Sequence, residues 1–303
     1  MSFNDNVRLD TSQVRSGGGG GGRRGGLAVG GGLGGLLVLV LVILGVVDPS
    51  ILGSSGNLDT GSVQAGGRED AEAFSRCETG ADANADVECR VIGTVNSVQA
   101  FWEAELPRYG REWQPTQTVL YSGQTQSACG TASNQVGPFY CPLDSLVYID
   151  ADFFDILTQR FGADGGALAQ EYVVAHEYGH ALQDQLGLLG RAQQDPKGAE
   201  SGAVRIELMA DCLAGVWAQH ASEVPDEATG EPFLKPLTQD DVDSALSAAA
   251  AVGDDRIQEA TTGRVTPESW THGSAAARQQ WFTTGLRTGD LNQCDTFSGS
   301  VSG

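Results

Sequence analysis

The sequence predicts an α+β domain over residues 69–297, with a small β-sheet beside a long helix and one transmembrane helix ahead of it. Three observations predict this. Short apolar runs of strand character fall between residues 116 and 149, helical spacing runs from about residue 167 to 186, and residues 25–47 carry no charge. A span of roughly 230 residues suffices for one sizeable core.

Residues 1–24 set Arg8, Arg15, Arg23 and Arg24 against Asp5 and Asp10 and include an unbroken glycine run from Gly17 to Gly22, which predicts a disordered tail. Residues 25–47 are long enough to cross a bilayer. A cleaved signal peptide is the rival, but the apolar run exceeds the usual core of one and no small-x-small cleavage site precedes Asp48-Pro49. Arginines on the near flank and acids on the far one predict a single-pass protein with its N-terminus cytoplasmic and its domain outside. Residues 48–68, rich in glycine and serine, read as a flexible linker.

The domain opens with two helical pieces, Ala71–Phe74 and Val95–Leu106. In the second, Val98, Phe101, Trp102 and Leu106 recur at helical spacing as core residues, and Pro107 and Gly110 end it. Residues 116–121, 139–140 and 146–149 read as strands, with a polar loop from Gly123 to Gly137. Asp150 or Asp152 caps a helix running through Phe153 to Phe161. A helix over 167–186 closes at Gly187, a polar connection with Pro196 leads to a helix around residue 207, and an acidic loop follows His220. Thr238 caps a helix over 242–252, a last helix spans 274–286, and residues 298–303 form a second disordered tail.

The chemistry concentrates in His176-Glu177-Tyr178-Gly179-His180. On a helix the two histidines lie one turn apart on one face, so both imidazoles reach a common point. Glu177 is turned about 100° away, off that face but near enough to take a proton from water at a metal. Catalytic zinc usually keeps three protein ligands, and with two histidines the third is commonly a carboxylate. Glu207 supplies it, and Asp211, one turn on, accepts the far N–H of a ligand histidine. The bland alternative, a solvated acidic face, fits poorly with the apolar neighbours Ile206, Leu208, Met209, Leu213, Val216 and Trp217.

The net charge is −21, and because the first 47 residues contribute +2, residues 48–303 carry −23. Nucleic acid is therefore not an expected partner. All six cysteines, Cys77, Cys89, Cys129, Cys141, Cys212 and Cys294, lie beyond the apolar stretch, and an even number there suggests disulfides in an oxidising compartment. Spacing leaves connectivity open. Joining Cys77 to Cys89 and Cys129 to Cys141 closes two short loops and leaves Cys212 with Cys294. A cysteine zinc site is disfavoured because no Cys-x-x-Cys occurs.

His-Glu-Tyr-Gly-His at 176–180, Glu-Leu-Met-Ala-Asp-Cys-Leu-Ala-Gly-Val-Trp at 207–217 and Gly-Pro-Phe-Tyr-Cys-Pro-Leu-Asp-Ser-Leu-Val-Tyr-Ile-Asp at 137–150 resemble the neutral zinc metallopeptidases of bacteria. Thr271-His272-Gly273-Ser274 with Arg278 and Trp281-Phe282, then Cys294-Asp295-Thr296-Phe297, extends the resemblance over nearly the whole chain, and the opening Asn6-Val7-Arg8-Leu9-Asp10 is similar too. The resemblance implies a gluzincin-like zincin fold, a Zn2+ cofactor and hydrolysis of protein or peptide substrates at the outer face of a bacterial cell membrane. It makes His272 the candidate donor to a developing oxyanion. By analogy with zincins, strand 146–149 pairs an extended substrate by edge addition, with Tyr148 in contact with it. Tyr178 is a lesser candidate, and His220 reads as structural. Two alternatives stand beside this reading: a membrane-tethered scaffold whose zinc is structural and has four protein ligands, and a hydrolase of cell-wall peptides.

Overall fold

A computed structural model describes residues 1–17, 72–133 and 136–301. In chain order its main elements are β1 (Val14–Ser16), α1 (Gly80–Ala85), α2 (Val87–Glu105), β2 (Thr118–Tyr121), β3 (Gln124–Ser127), β4 (Gly130–Ser133), β5 (Phe139–Cys141) and β6 (Leu146–Asp150). There follow α3 (Phe153–Gln159), α4 (Ala167–Gln185), α5 (Gly190–Gln194), α6 (Gly202–His220), α7 (Gln239–Ala251), α8 (Asp254–Thr262) and α9 (Ala275–Thr288). Helices and a small sheet thus share one core, as the α+β expectation requires.

The sheet has the order β1-β2-β6-β5, with β1, β2 and β6 parallel and β5 antiparallel to β6. A separate antiparallel hairpin joins β3 and β4. It falls in the stretch read as a polar loop, because its strands are polar, half-buried for the most part, and lack an apolar alternation to betray them. Helix α2 begins where the Asp86 carboxylate accepts the N–H groups of Glu88 and Cys89, and it buries Val91, Ile92, Val95 and Val98. Helix α6 is apolar nearly all round, from Ile206 and Leu208 to Val216 and Trp217, as befits a helix enclosed by others. It lies between α4 and α9. Against α9 the approach is backbone to backbone: a Cβ on Gly285 would stand 1.9 Å from the Cys212 carbonyl oxygen.

All six cysteines are paired, Cys77–Cys89, Cys129–Cys141 and Cys212–Cys294, in the connectivity that closes two short loops. The last ties the chain after α9 to the middle of α6. Thr238 and Asp241 form the expected reciprocal cap of α7. Asp152 stands at the N-terminus of α3, yet its carboxylate accepts the Ser122 hydroxyl at 2.7 Å and caps nothing.

Three expectations need correction. Residues 1–17 are not a disordered tail: Met1, Phe3, Val7 and Val14 are buried, and β1 extends the sheet. The arginines and glycines beyond them set the composition of the stretch and masked four core residues spaced among polar ones. Residues 298–301 are ordered as well, since Val301 packs with Val204, Leu208 and Trp270 while Glu200 accepts the Ser300 hydroxyl at 2.6 Å. Strand β6, finally, is closed to substrate addition because β2 and β5 occupy its two edges. Tyr148, expected against substrate, is 2% exposed, with its ring stacked on Phe139 and its hydroxyl donating to Asp144 at 2.8 Å. The expected transmembrane helix 25–47 and linker 48–68 lie outside the described residues, among which no helix is long and apolar enough to cross a membrane.

If residues 1–17 belong to the core, truncating a buried anchor in them must destabilise the whole domain. Phe3→Ala is expected to cost about 3–5 kcal/mol, read as a lower midpoint of urea unfolding. An unchanged midpoint would return the segment to the status of a tail.

Candidate metal centre

The site is assembled where α4 and α6 cross. Gly179 permits the approach: a Cβ there would lie 3.1 Å from the Ala210 Cα and 3.2 Å from its carbonyl oxygen. Glu207, one turn before Ala210 on α6, is thereby set opposite the two histidines of α4. His176 Nε2 stands 3.3 Å from Glu207 Oε2 and His180 Nε2 3.5 Å from Glu207 Oε1. The two imidazole rings meet edge to face with centroids 4.8 Å apart.

Each imidazole is oriented through its other nitrogen. His176 Nδ1 lies 2.8 Å from Asp211 Oδ1, and His180 Nδ1 lies 2.8 Å from Gln183 Oε1. Gln183 is itself fixed, its amide donating to the Ile206 carbonyl at 2.7 Å. With both Nδ1 atoms engaged, both Nε2 atoms are left to face Glu207. A tetrahedral zinc ion with bonds of 2.0–2.1 Å would hold its ligand atoms about 3.3 Å apart, close to the two spacings found. Donor set, spacing and tautomers therefore fit a zinc ion held by His176, His180 and Glu207, and these three residues are grouped within 4.8 Å. The other grouping of ligand-type residues among those described, Cys77, Asp86 and Cys89, has its sulfurs committed to a disulfide.

Asp211 is the centre of a buried network. Besides His176 it receives Arg278 Nε on Oδ2 and Arg278 Nη2 on Oδ1, both at 2.8 Å, and the Tyr172 hydroxyl. Sequence reasoning placed Asp211 behind a ligand histidine but gave Arg278 and Tyr172 no role. Tyr172 was within reach of that reasoning, standing one helical turn before His176. Arg278 was not, because nothing near it in sequence shows the buried anion it neutralises.

The charges follow from these contacts. Burial disfavours a charged His176, but the Asp211 carboxylate and its hydrogen bond outweigh this and hold the imidazole up at about 9. Burial likewise opposes ionisation of Glu207, yet His180, His272 and His176 bring its carboxyl well below the usual range. The site thus draws positive charge onto His176, and a bound cation would take the place of that proton. Glu177 differs from its neighbours. Burial pushes its carboxyl up, and Oε2 is buried without a hydrogen-bond partner among the described residues.

His272 arrives from the loop before α9. Asp254 Oδ2 accepts the backbone N–H groups of Thr271, His272 and Gly273 at 2.7, 2.7 and 3.0 Å, and these bonds fix the loop. The imidazole Nδ1 lies 2.9 Å from the Thr271 hydroxyl and 3.4 Å from Asp254 Oδ1. Burial works against its charge, while Glu207 and Asp254 raise its pKa, which places His272 within electrostatic reach of the Glu207 carboxylate. Tyr178 turns the other way, its hydroxyl donating to the Thr116 carbonyl at 2.9 Å. His220, at the end of α6, stacks on Phe101 and contacts the Gly289 carbonyl, a structural placement.

Residues 2–297 match the model of the family described as "Putative neutral zinc metallopeptidase". The chain belongs to this family. It is similar to an uncharacterized protein of Mycobacterium tuberculosis, 57% identical over 303 residues and covering the whole of both chains, and to a Mycobacterium bovis protein at the same identity and coverage. It also resembles the uncharacterized protein YpfJ of Escherichia coli, 42% identical over 205 residues, which is 66% of this chain and 68% of that one. No solved structure matches the chain. The family description suggests zinc, in agreement with the donor set that the fold brings together.

If Asp211 orients His176 in this metallopeptidase-family chain, Asp211→Asn should weaken zinc binding by about 10–100-fold. Competition against a chromophoric chelator, on protein whose circular dichroism shows it folded, reads this directly. Unchanged affinity would mean that the imidazole needs no such support.

Proposed function

We propose that the protein is an extracytoplasmic zinc metallopeptidase in which Glu177 is the general base and His272 the oxyanion donor. One observation supports this above the rest: three donors of catalytic type, His176, His180 and Glu207, converge beside Glu177, whose buried Oε2 has no hydrogen-bond partner among the described residues. A structural zinc site calls for four protein ligands and has no use for such a carboxylate. Among the described residues the cluster holds three.

A zinc ion at these ligands would polarise a carbonyl and make water nucleophilic near neutral pH. The protein's own groups account for the proton movements. Glu177, raised by burial and free at Oε2, accepts the proton as water attacks the scissile carbonyl and then delivers it to the leaving amine. A carboxyl raised toward neutrality can do both, whereas a strongly acidic one would hold the proton too weakly to pass it on. His272, whose pKa Glu207 and Asp254 raise against the cost of burial and which is held through Nδ1, presents Nε2 to the charge developing on the carbonyl oxygen. Asp254 keeps the His272 backbone in place and Asp211 keeps His176 turned, so neither donor must reorganise during turnover.

Protein or peptide is the substrate class that suits this machinery, and the −23 charge of residues 48–303 speaks against nucleic acid. Three disulfides support an oxidising compartment, and the uncharged stretch 25–47 supports attachment to a membrane.

Glu177→Gln should retain one zinc per chain and lose about 10²–10⁴-fold in hydrolysis of a denatured protein. Turnover equal to that of the unaltered protein would refute the general-base assignment. His272→Gln is expected to lower kcat by about 10²–10³-fold with a smaller effect on KM, measured on the same substrate. A fall in KM-dependent binding alone would move His272 from the reacting carbonyl to substrate recognition.

A further inference from the structure

The first seventeen residues are held in a site built to receive them. Asn84 of α1 accepts the Phe3 N–H at 2.8 Å and donates to its carbonyl at 3.0 Å, and Asn96 of α2 grips the backbone of Asp10 in the same two-way manner, at 2.9 and 3.0 Å. Backbone pairs continue the grip from far along the chain: Asn4 N–H to the Phe233 carbonyl at 2.9 Å, Lys235 N–H to Ser2 at 2.8 Å, Leu9 N–H to Glu78 at 3.0 Å. The Asp226 carboxylate accepts the Arg8 N–H at 2.9 Å. Two glycines leave room for the segment. A Cβ on Gly93 would stand 2.6 Å from the Phe3 ring, and one on Gly80 would stand 1.9 Å from the Asn4 carbonyl oxygen. Phe3 and Val7 are fully buried as a result, and β1 becomes an edge of the sheet that carries the metal helix.

Such contacts cannot be made across a bilayer. Residues 1–17 and 72–301 form one folded body, in which polar backbone groups are satisfied between the two parts, and no arrangement of that body leaves them on opposite faces of a hydrocarbon layer. The disulfide Cys77–Cys89 joins two walls of the receiving site, the turn containing Glu78 and helix α2. A bond of this kind persists in an oxidising compartment, and the docked segment shares that compartment.

We propose that residues 1–17 lie on the same, outer side of the membrane as the disulfide-bonded domain, so that whatever path residues 18–71 take, it begins and ends on that side. This revises the expectation of a cytoplasmic N-terminus, which rested on the charges flanking residues 25–47, and it stands independently of the hydrolytic reading.

The test uses the full chain expressed in a bacterial host whose cell wall has been removed. Ser12→Cys and Arg264→Cys each place one free thiol at an exposed position, on the N-terminal segment and on the domain, beside six cysteines already paired. A membrane-impermeant maleimide is applied before and after lysis. The expected result is that both thiols react in intact cells to the same extent. Shielding of Ser12→Cys until lysis while Arg264→Cys reacts would overturn the proposal, and so would shielding of both.

Discussion

The whole site depends on one buried carboxylate. Asp211 binds a histidine of α4, an arginine of α9 and a tyrosine of α4 while sitting on α6, so a single side chain joins three helices. An unpaired carboxylate at this depth would be neutral or would unfold its surroundings. Arg278 removes that cost with a two-pronged hydrogen bond, and the anion so stabilised is what turns His176 toward Glu207. The geometry of the candidate ligand set is here a consequence of charge neutralisation in the core.

Close packing does the remaining work. Gly179 lies within the same five residues that hold both histidines, and its missing side chain spares α6 a shift of a few tenths of an ångström as it brings Glu207 up to them. Gly285 makes room on the far side of α6, and Cys212–Cys294 then holds α9 there, one residue from Asp211. Motif and scaffold are therefore not separable: a residue of the motif sets the distance between the helices that complete it.

Much of this was legible in the sequence. The spacing of His176 and His180 and the pairing of Glu207 with Asp211 are local consequences of helical periodicity, and the even count of cysteines pointed to disulfides whose connectivity only the structure gives. What escaped were features whose cause lies far away in the chain. Arg278 is explained only by an anion 67 residues earlier, Asp254 only by a loop 18 residues on, and Phe3 only by its place beside Gly93 and Leu234. Strand β6 was recognised as a strand, but strand order is a property of the sheet, and its central position could not be read from residues 146–149 alone. The tail assignment failed because composition was averaged over a segment whose few apolar residues are each buried.

The clasp on the N-terminal segment also imposes a schedule on synthesis. The Asn4 N–H is bonded to the Phe233 carbonyl, so at about 5–20 residues per second a ribosome needs roughly 10–50 s to make the stretch between them. Throughout that interval one wall of the clasp is missing while the uncharged apolar stretch 25–47 has already been made. Production of this protein is thus vulnerable to aggregation until residues 233–235 emerge, and a host that slows elongation would lengthen the exposure.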